Sequence, residues 1–98
     1  MARKLPPADS DLSPLAETLN DLGKIVRNMR AHGQLRIDDA AALLGVSSDL
    51  LSRLENGKPV TTDRLLKTLD GFGLQILVLP KAMAKRLAKA AGSGKPLP

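Results

Sequence analysis

Leu15, Leu19, Leu22, Ile25, Val26 and Met29 recur at spacings of three and four, the apolar stripe of an amphipathic helix. Ser13-Pro14 is the expected start, with Ser13 as N-cap and Pro14 in the first helical position. Glu17 would then lie in the first turn, where a negative charge suits the helix dipole. Gly23 interrupts the stripe at a cost of about 1 kcal/mol relative to Ala. His32 and Gly33 close it, Gly33 as a left-handed cap. A second, shorter helix is expected over residues 37–44, with Asp38 and Asp39 at its start and Gly45 as its stop. A third begins after Ser47 and runs to about Asn56, turning Leu50, Leu51 and Leu54 inward and ending at Gly57. After the loop Lys58-Pro59-Val60, Thr61 or Thr62 caps a fourth helix with the inner face Leu65, Leu66, Leu69 and Phe72, closed by Gly71 and Gly73.

The period then changes. Residues 74–80, LQILVLP, are short, partly β-branched and bounded by Gly73 and Pro80, which reads as a strand. Its two faces, Leu74/Ile76/Val78 and Gln75/Leu77/Leu79, are both largely apolar. A lone strand leaves its backbone donors and acceptors unpaired, and the chain offers no second strand. The same strand of another copy, in a two-fold antiparallel pair, is the simplest partner. Burying Leu74, Ile76, Leu77, Val78 and Leu79 would contribute roughly 1.5–3 kcal/mol each before entropy costs. An extended arm, or a further helix packed on its own domain, are the alternatives. Residues 81–91, KAMAKRLAKAA, have helix-forming composition and a thin apolar face of Met83, Leu87 and Ala90, followed by a glycine-containing end. The division expected is a polar leader over residues 1–12, a helical domain over 13–73, the strand over 74–80 and a basic helix and tail over 81–98.

Composition narrows the class. Phe72 is the one aromatic among 98 residues, so the core must be aliphatic, which suits helices better than a sheet sandwich. With no cysteine there are no disulfides or cysteine metal sites, and a reducing cytoplasm suits the chain. No apolar run approaches the ~20 residues of a membrane span, and no apolar stretch follows Arg3 and Lys4 as a secretory signal would require. Of fifteen basic residues, Lys81, Lys85, Arg86, Lys89 and Lys95 lie after Pro80 with no acid among them, so the first 80 residues carry ten of each sign. Bulk charge favours an anionic partner only through the tail, which could contact DNA, dock on a partner or serve solubility. Catalysis is not expected. The single histidine, His32, sits at a helix end; Asp38 and Asp39 are sequence neighbours and do not face each other on a helix. No metal-ligand spacing or phosphate loop is present, so no metal or cofactor is expected.

Residues 37–58 carry the specific signal. Two short helices joined by a tight turn form a helix-turn-helix unit. Ala41 is small where the helices cross, Gly45 tolerates a positive φ in the turn, and Leu51 grips the first helix from the second. The face left over presents Ser47, Ser48, Asp49, Ser52 and Arg53 to a major groove. The hydroxyls can reach phosphates or base edges, and Arg53 can bind guanine through two hydrogen bonds. Asp49 either accepts from a cytosine amino group or only favours the start of its helix. Arg36 and Lys58 fit phosphate contacts, and solvated surface charge is the alternative for each.

Ala41, Gly45, Leu51 and the run Leu54-Glu55-Asn56-Gly57-Lys58 resemble the λ/434-repressor-like, XRE-type helix-turn-helix domain over residues 19–73. The resemblance implies an all-α domain of four to five helices that binds double-stranded operator DNA as a repressor. It also implies an ion pair of Arg30 with Glu55 that braces the third helix against the first and leaves Arg30 near the DNA backbone. Two departures stand out. Arg36 and Ile37 occupy places where the family usually has Thr or Ser and then Gln, and Ser48 and Asp49 replace the usual long polar base readers. The following GLQILVLP and polar tail resemble HipB-like antitoxins, in which one short C-terminal strand pairs across a homodimer. That resemblance implies a bacterial cytoplasmic protein, at the nucleoid when DNA-bound, that represses its own operon and binds a HipA-like serine/threonine kinase toxin. A regulator without a toxin partner, or a protein-binding inhibitor with weak DNA binding, are the other readings.

Overall fold

The chain enters its first helix at Thr18, five residues later than Ser13 suggests. In the computed structural model, which describes residues 12–92, α1 is Leu19–His32. The Thr18 hydroxyl accepts from Asp21 N at 3.1 Å, and the Asp21 carboxylate reaches back to accept from Glu17 N at 3.1 Å. This reciprocal pair satisfies two backbone donors at one end. The Ser13 hydroxyl instead accepts from Leu15 N in an exposed turn. Leu15 therefore lies outside the helix, and Asp21, not Glu17, is the acid of the first turn. The other end differs too. Gly33 is right-handed, with φ −78°, and Gln34 takes the positive φ of 54°.

Helices α2 (Ile37–Leu44) and α3 (Ser48–Glu55) follow, at the bounds their local signals predict. Between them Gly45 sits at φ 71°, ψ 32°, while Val46 N donates to Ala41 O at 3.0 Å. An L-residue with a side chain pays for that left-handed turn and glycine does not. Ser47 caps α3, its hydroxyl accepting from Leu50 N at 3.0 Å. Ser47→Ala is expected to cost about 1 kcal/mol of unfolding free energy, measurable by urea titration.

Helix α4 is Thr62–Gly71, with Thr61 as N-cap. Its buried line is Leu65, Thr68, Leu69 and Phe72, the last just beyond its end, and Leu66 is turned outward at 47% exposure. Thr68 replaces the expected leucine inside because its hydroxyl is satisfied by the Arg64 carbonyl at 2.9 Å, so its methyl can pack. The core is Val26, Ala40, Ala41, Leu51, Leu54 and Leu69, ringed by Leu22, Leu35, Ile37, Leu44, Val46, Val60, Leu65, Phe72 and Leu74. Helix α1 packs on α3, and α2 lies against both α3 and α4.

Among the described residues there is no strand. Residues 74–80 run without a ladder, since strand pairing needs a partner strand that the described residues do not supply. Leu74 is anchored, its N–H donating to Leu69 O at 2.8 Å and its side chain packed against the core. Beyond it Ile76, Leu77 and Val78 are 49%, 73% and 86% exposed. Helix α5 (Lys81–Gly92) ends the described chain, with Met83 exposed and Leu87 half-buried. No helix among these residues is long and apolar enough to cross a membrane.

Candidate nucleic-acid interface

Leu50, Leu51 and Leu54 anchor α3 in the core, which leaves its other side to Ser48, Asp49, Ser52 and Arg53. Asp49 and Arg53 are exposed, and Ser48 and Ser52 are half-buried. Ser47, Ser48, Ser52 and Arg53 already have local partners that shape what they can offer. Ser47 spends a lone pair on its cap. Ser48 Oγ donates to Asp38 Oδ1 at 2.8 Å, joining the first turn of α2 to the first turn of α3. Asn56 Nδ2 donates to the Ser52 carbonyl at 2.8 Å and lies 3.5 Å from the Ser52 hydroxyl. Arg53 Nη2 donates to the Pro59 carbonyl at 3.0 Å, which holds the guanidinium over the loop after α3.

Arg36 is the exposed N-cap residue of α2 and makes no side-chain cap. Lys58 is exposed just past α3. At the start of α4 the Thr61 hydroxyl, followed by the Arg64 backbone N–H, holds the exposed Asp63 carboxyl below its ordinary value. With Asp38, Asp39 and Asp49 also exposed, carboxylates are interspersed with Arg36, Arg53 and Lys58 on and around α3. Phosphate attraction is correspondingly local.

Behind this face lies the ion pair. Arg30 Nε donates to Glu55 Oε2 at 2.7 Å and Nη2 to Oε1 at 2.8 Å, while Nη1 donates to the Leu35 carbonyl at 2.9 Å. Both residues are buried, Arg30 at 7% and Glu55 at 9% exposure. One guanidinium thus ties α1, the loop into α2 and the end of α3 together through the two-pronged geometry that arginine alone supplies.

Two contacts were not foreseen from the sequence. Lys67 Nζ donates to the Gly45 carbonyl at 3.1 Å, pinning α4 to the turn, and Asp38 engages Ser48 across ten residues. Neither has a local signature.

The helix-turn-helix domain family model matches residues 21–79, from the first turn of α1 through the segment after α4. The chain belongs to the helix-turn-helix domain family. No curated protein matches the chain. Membership points to a DNA-binding regulator of transcription. In this helix-turn-helix protein α2 and α3 are the two helices of the motif, and α3 is the one whose outer face is free to enter a groove.

Proposed function

We propose that this protein is a sequence-specific transcriptional repressor that binds operator DNA as a homodimer and acts as a HipB-like antitoxin to a kinase toxin. The supporting observation is one surface pair. The outward side of α3 carries Ser48, Asp49, Ser52 and Arg53, and an exposed apolar run, Ile76, Leu77 and Val78, follows α4 within the family match. Pairing residues 75–79 with their two-fold mate would satisfy their backbone and cover that run, with Leu74 anchored on the core. It would also set two copies of α3 at a fixed separation, matched to half-sites about one helical turn apart. Arg36, Arg53 and Lys58 serve as phosphate or base contacts in this reading, Ser47 and Ser52 as short polar contacts.

Gel shifts on the promoter of its own operon test it. Affinity is expected to fall steeply as salt rises, because each neutralised phosphate releases a counterion; absence of binding at low salt overturns the operator role. Leu77→Asp is expected to convert the dimer to a monomer in sedimentation velocity. Operator affinity should drop about 100-fold or more, since linked sites lose their shared binding energy. Co-purification with a kinase-sized product of a neighbouring gene tests the antitoxin role. The carboxylates of Asp38, Asp39 and Asp49 around α3 favour a second reading, a protein-binding inhibitor with weak DNA affinity. Inhibition of a partner in the absence of DNA would distinguish it.

A further inference from the structure

We infer that Asp38 sets the base specificity of α3 by making Ser48 an acceptor-only reader, so that the base Ser48 faces is cytosine or adenine. This rests on the reading above that α3 enters the major groove. A serine hydroxyl ordinarily recognises any base, because it carries one proton to give and two lone pairs to receive. Here it does not have that choice. Ser48 Oγ lies 2.8 Å from Asp38 Oδ1, and a carboxylate can only accept, so the hydroxyl proton is committed to Asp38. What remains directed elsewhere is lone pair.

In the major groove guanine presents N7 and O6, and thymine presents O4, all acceptors. Cytosine presents the N4 amino group and adenine the N6 amino group, both donors. An acceptor-only oxygen therefore pairs with cytosine or adenine on the strand it faces. Opposite guanine or thymine, two acceptors meet with no proton between them. The Asp38–Ser48 bond spans the first turns of α2 and α3, so it is anchored in the two helices that define the motif. Asp38 is a positioning residue: it acts on DNA through Ser48.

Selection of bound sequences from a random double-stranded DNA pool, using the full chain, tests this. The base position that Ser48 faces is the one whose preference disappears in Ser48→Ala. In the wild type that position is expected to hold cytosine or adenine, with about tenfold weaker binding when guanine or thymine is substituted. Asp38→Ala returns the proton to Ser48, and guanine and thymine are expected to become acceptable at that position alone. Asp38→Asn is the companion variant. It keeps the size of the side chain but offers both an amide donor and a carbonyl acceptor, so the hydroxyl proton is no longer committed and a partial broadening is expected. A readout in base preference separates this role from a merely structural one, because loss of stability weakens all sequences alike. A wild-type preference for guanine or thymine at the Ser48 position overturns the inference, as does a preference unchanged in both Asp38 variants. DNA binding without any position that depends on Ser48 also overturns it while leaving the repressor reading intact. Failure of the wild type to enrich any sequence at low salt overturns both.

Discussion

Glu55→Ala is expected to destabilise the domain by about 3–5 kcal/mol, the cost of leaving a buried charge without its partner. Arg30 would keep the Leu35 carbonyl but lose both carboxylate bonds, at 7% exposure and with little water to replace them. For a domain of this size 1 kcal/mol corresponds to about 4–8 °C in Tm. The melting temperature measured by circular dichroism should therefore fall by more than about 12 °C, and a chain of ordinary stability would approach its unfolding limit. The double variant Arg30→Met, Glu55→Leu is expected to recover much of the loss, because it removes both charges and refills the volume. A loss under about 1 kcal/mol for Glu55→Ala would show that Arg30 reaches solvent, and that the pair behaves as a surface bridge.

Gly23→Ala is expected to destabilise as well, against its helix propensity. Alanine in mid-helix should gain about 1 kcal/mol over glycine. A Cβ at position 23, however, would lie 2.7 Å from the Glu55 carbonyl oxygen and 2.9 Å from its carbon, and closer still to the Leu54 carbonyl oxygen. These are backbone atoms of α3, which cannot rotate aside as a flexible side chain does. Relief requires α1 and α3 to separate across the interface that holds Val26, Leu51 and Leu54. Overpacking of this kind costs about 1–3 kcal/mol, and the rigidity of the obstacle puts this site at the upper end. A lower urea midpoint with unchanged slope would establish it, while a raised midpoint would show that the helices adjust freely. Glycine at position 23 is thus explained by contact with α3, and its cost to the isolated helix is offset by the close approach it permits.

Much of the motif was legible along the chain. Ala41, Gly45 and Leu51 mark a crossing, a left-handed turn and a grip by size and backbone freedom alone, and α2 ends at Gly45 and α3 begins at Ser47, where local caps place them. At the start of α1 two local signals compete. Ser13-Pro14 is a good cap pair, but Thr18 with Asp21 satisfies two backbone donors at once, and the core contacts begin only with Leu22. On α4 the spacing admits both Leu65 and Leu66. Which of them is buried depends on where α2 lies, and Thr68 faces inward because its hydroxyl bonds its own helix. The exposed groups proposed to meet DNA were identifiable as residues, yet their donor and acceptor states were not. Ser48 and Asp38 are ten positions apart and meet only when α2 and α3 cross.

The sequence by itself determined the helical composition, the turn at Gly45 and the apolar character of residues 74–79, because propensity, glycine freedom and hydrophobic pattern act over a few neighbouring residues. Tertiary structure alone decided that Gly23 must lack a side chain, that the Arg30–Glu55 pair implied by the resemblance is buried and shared with the Leu35 carbonyl, and that the Ser48 proton belongs to Asp38. Each of these depends on a distance between segments remote in the chain, which only the packing of α1, α2 and α3 sets.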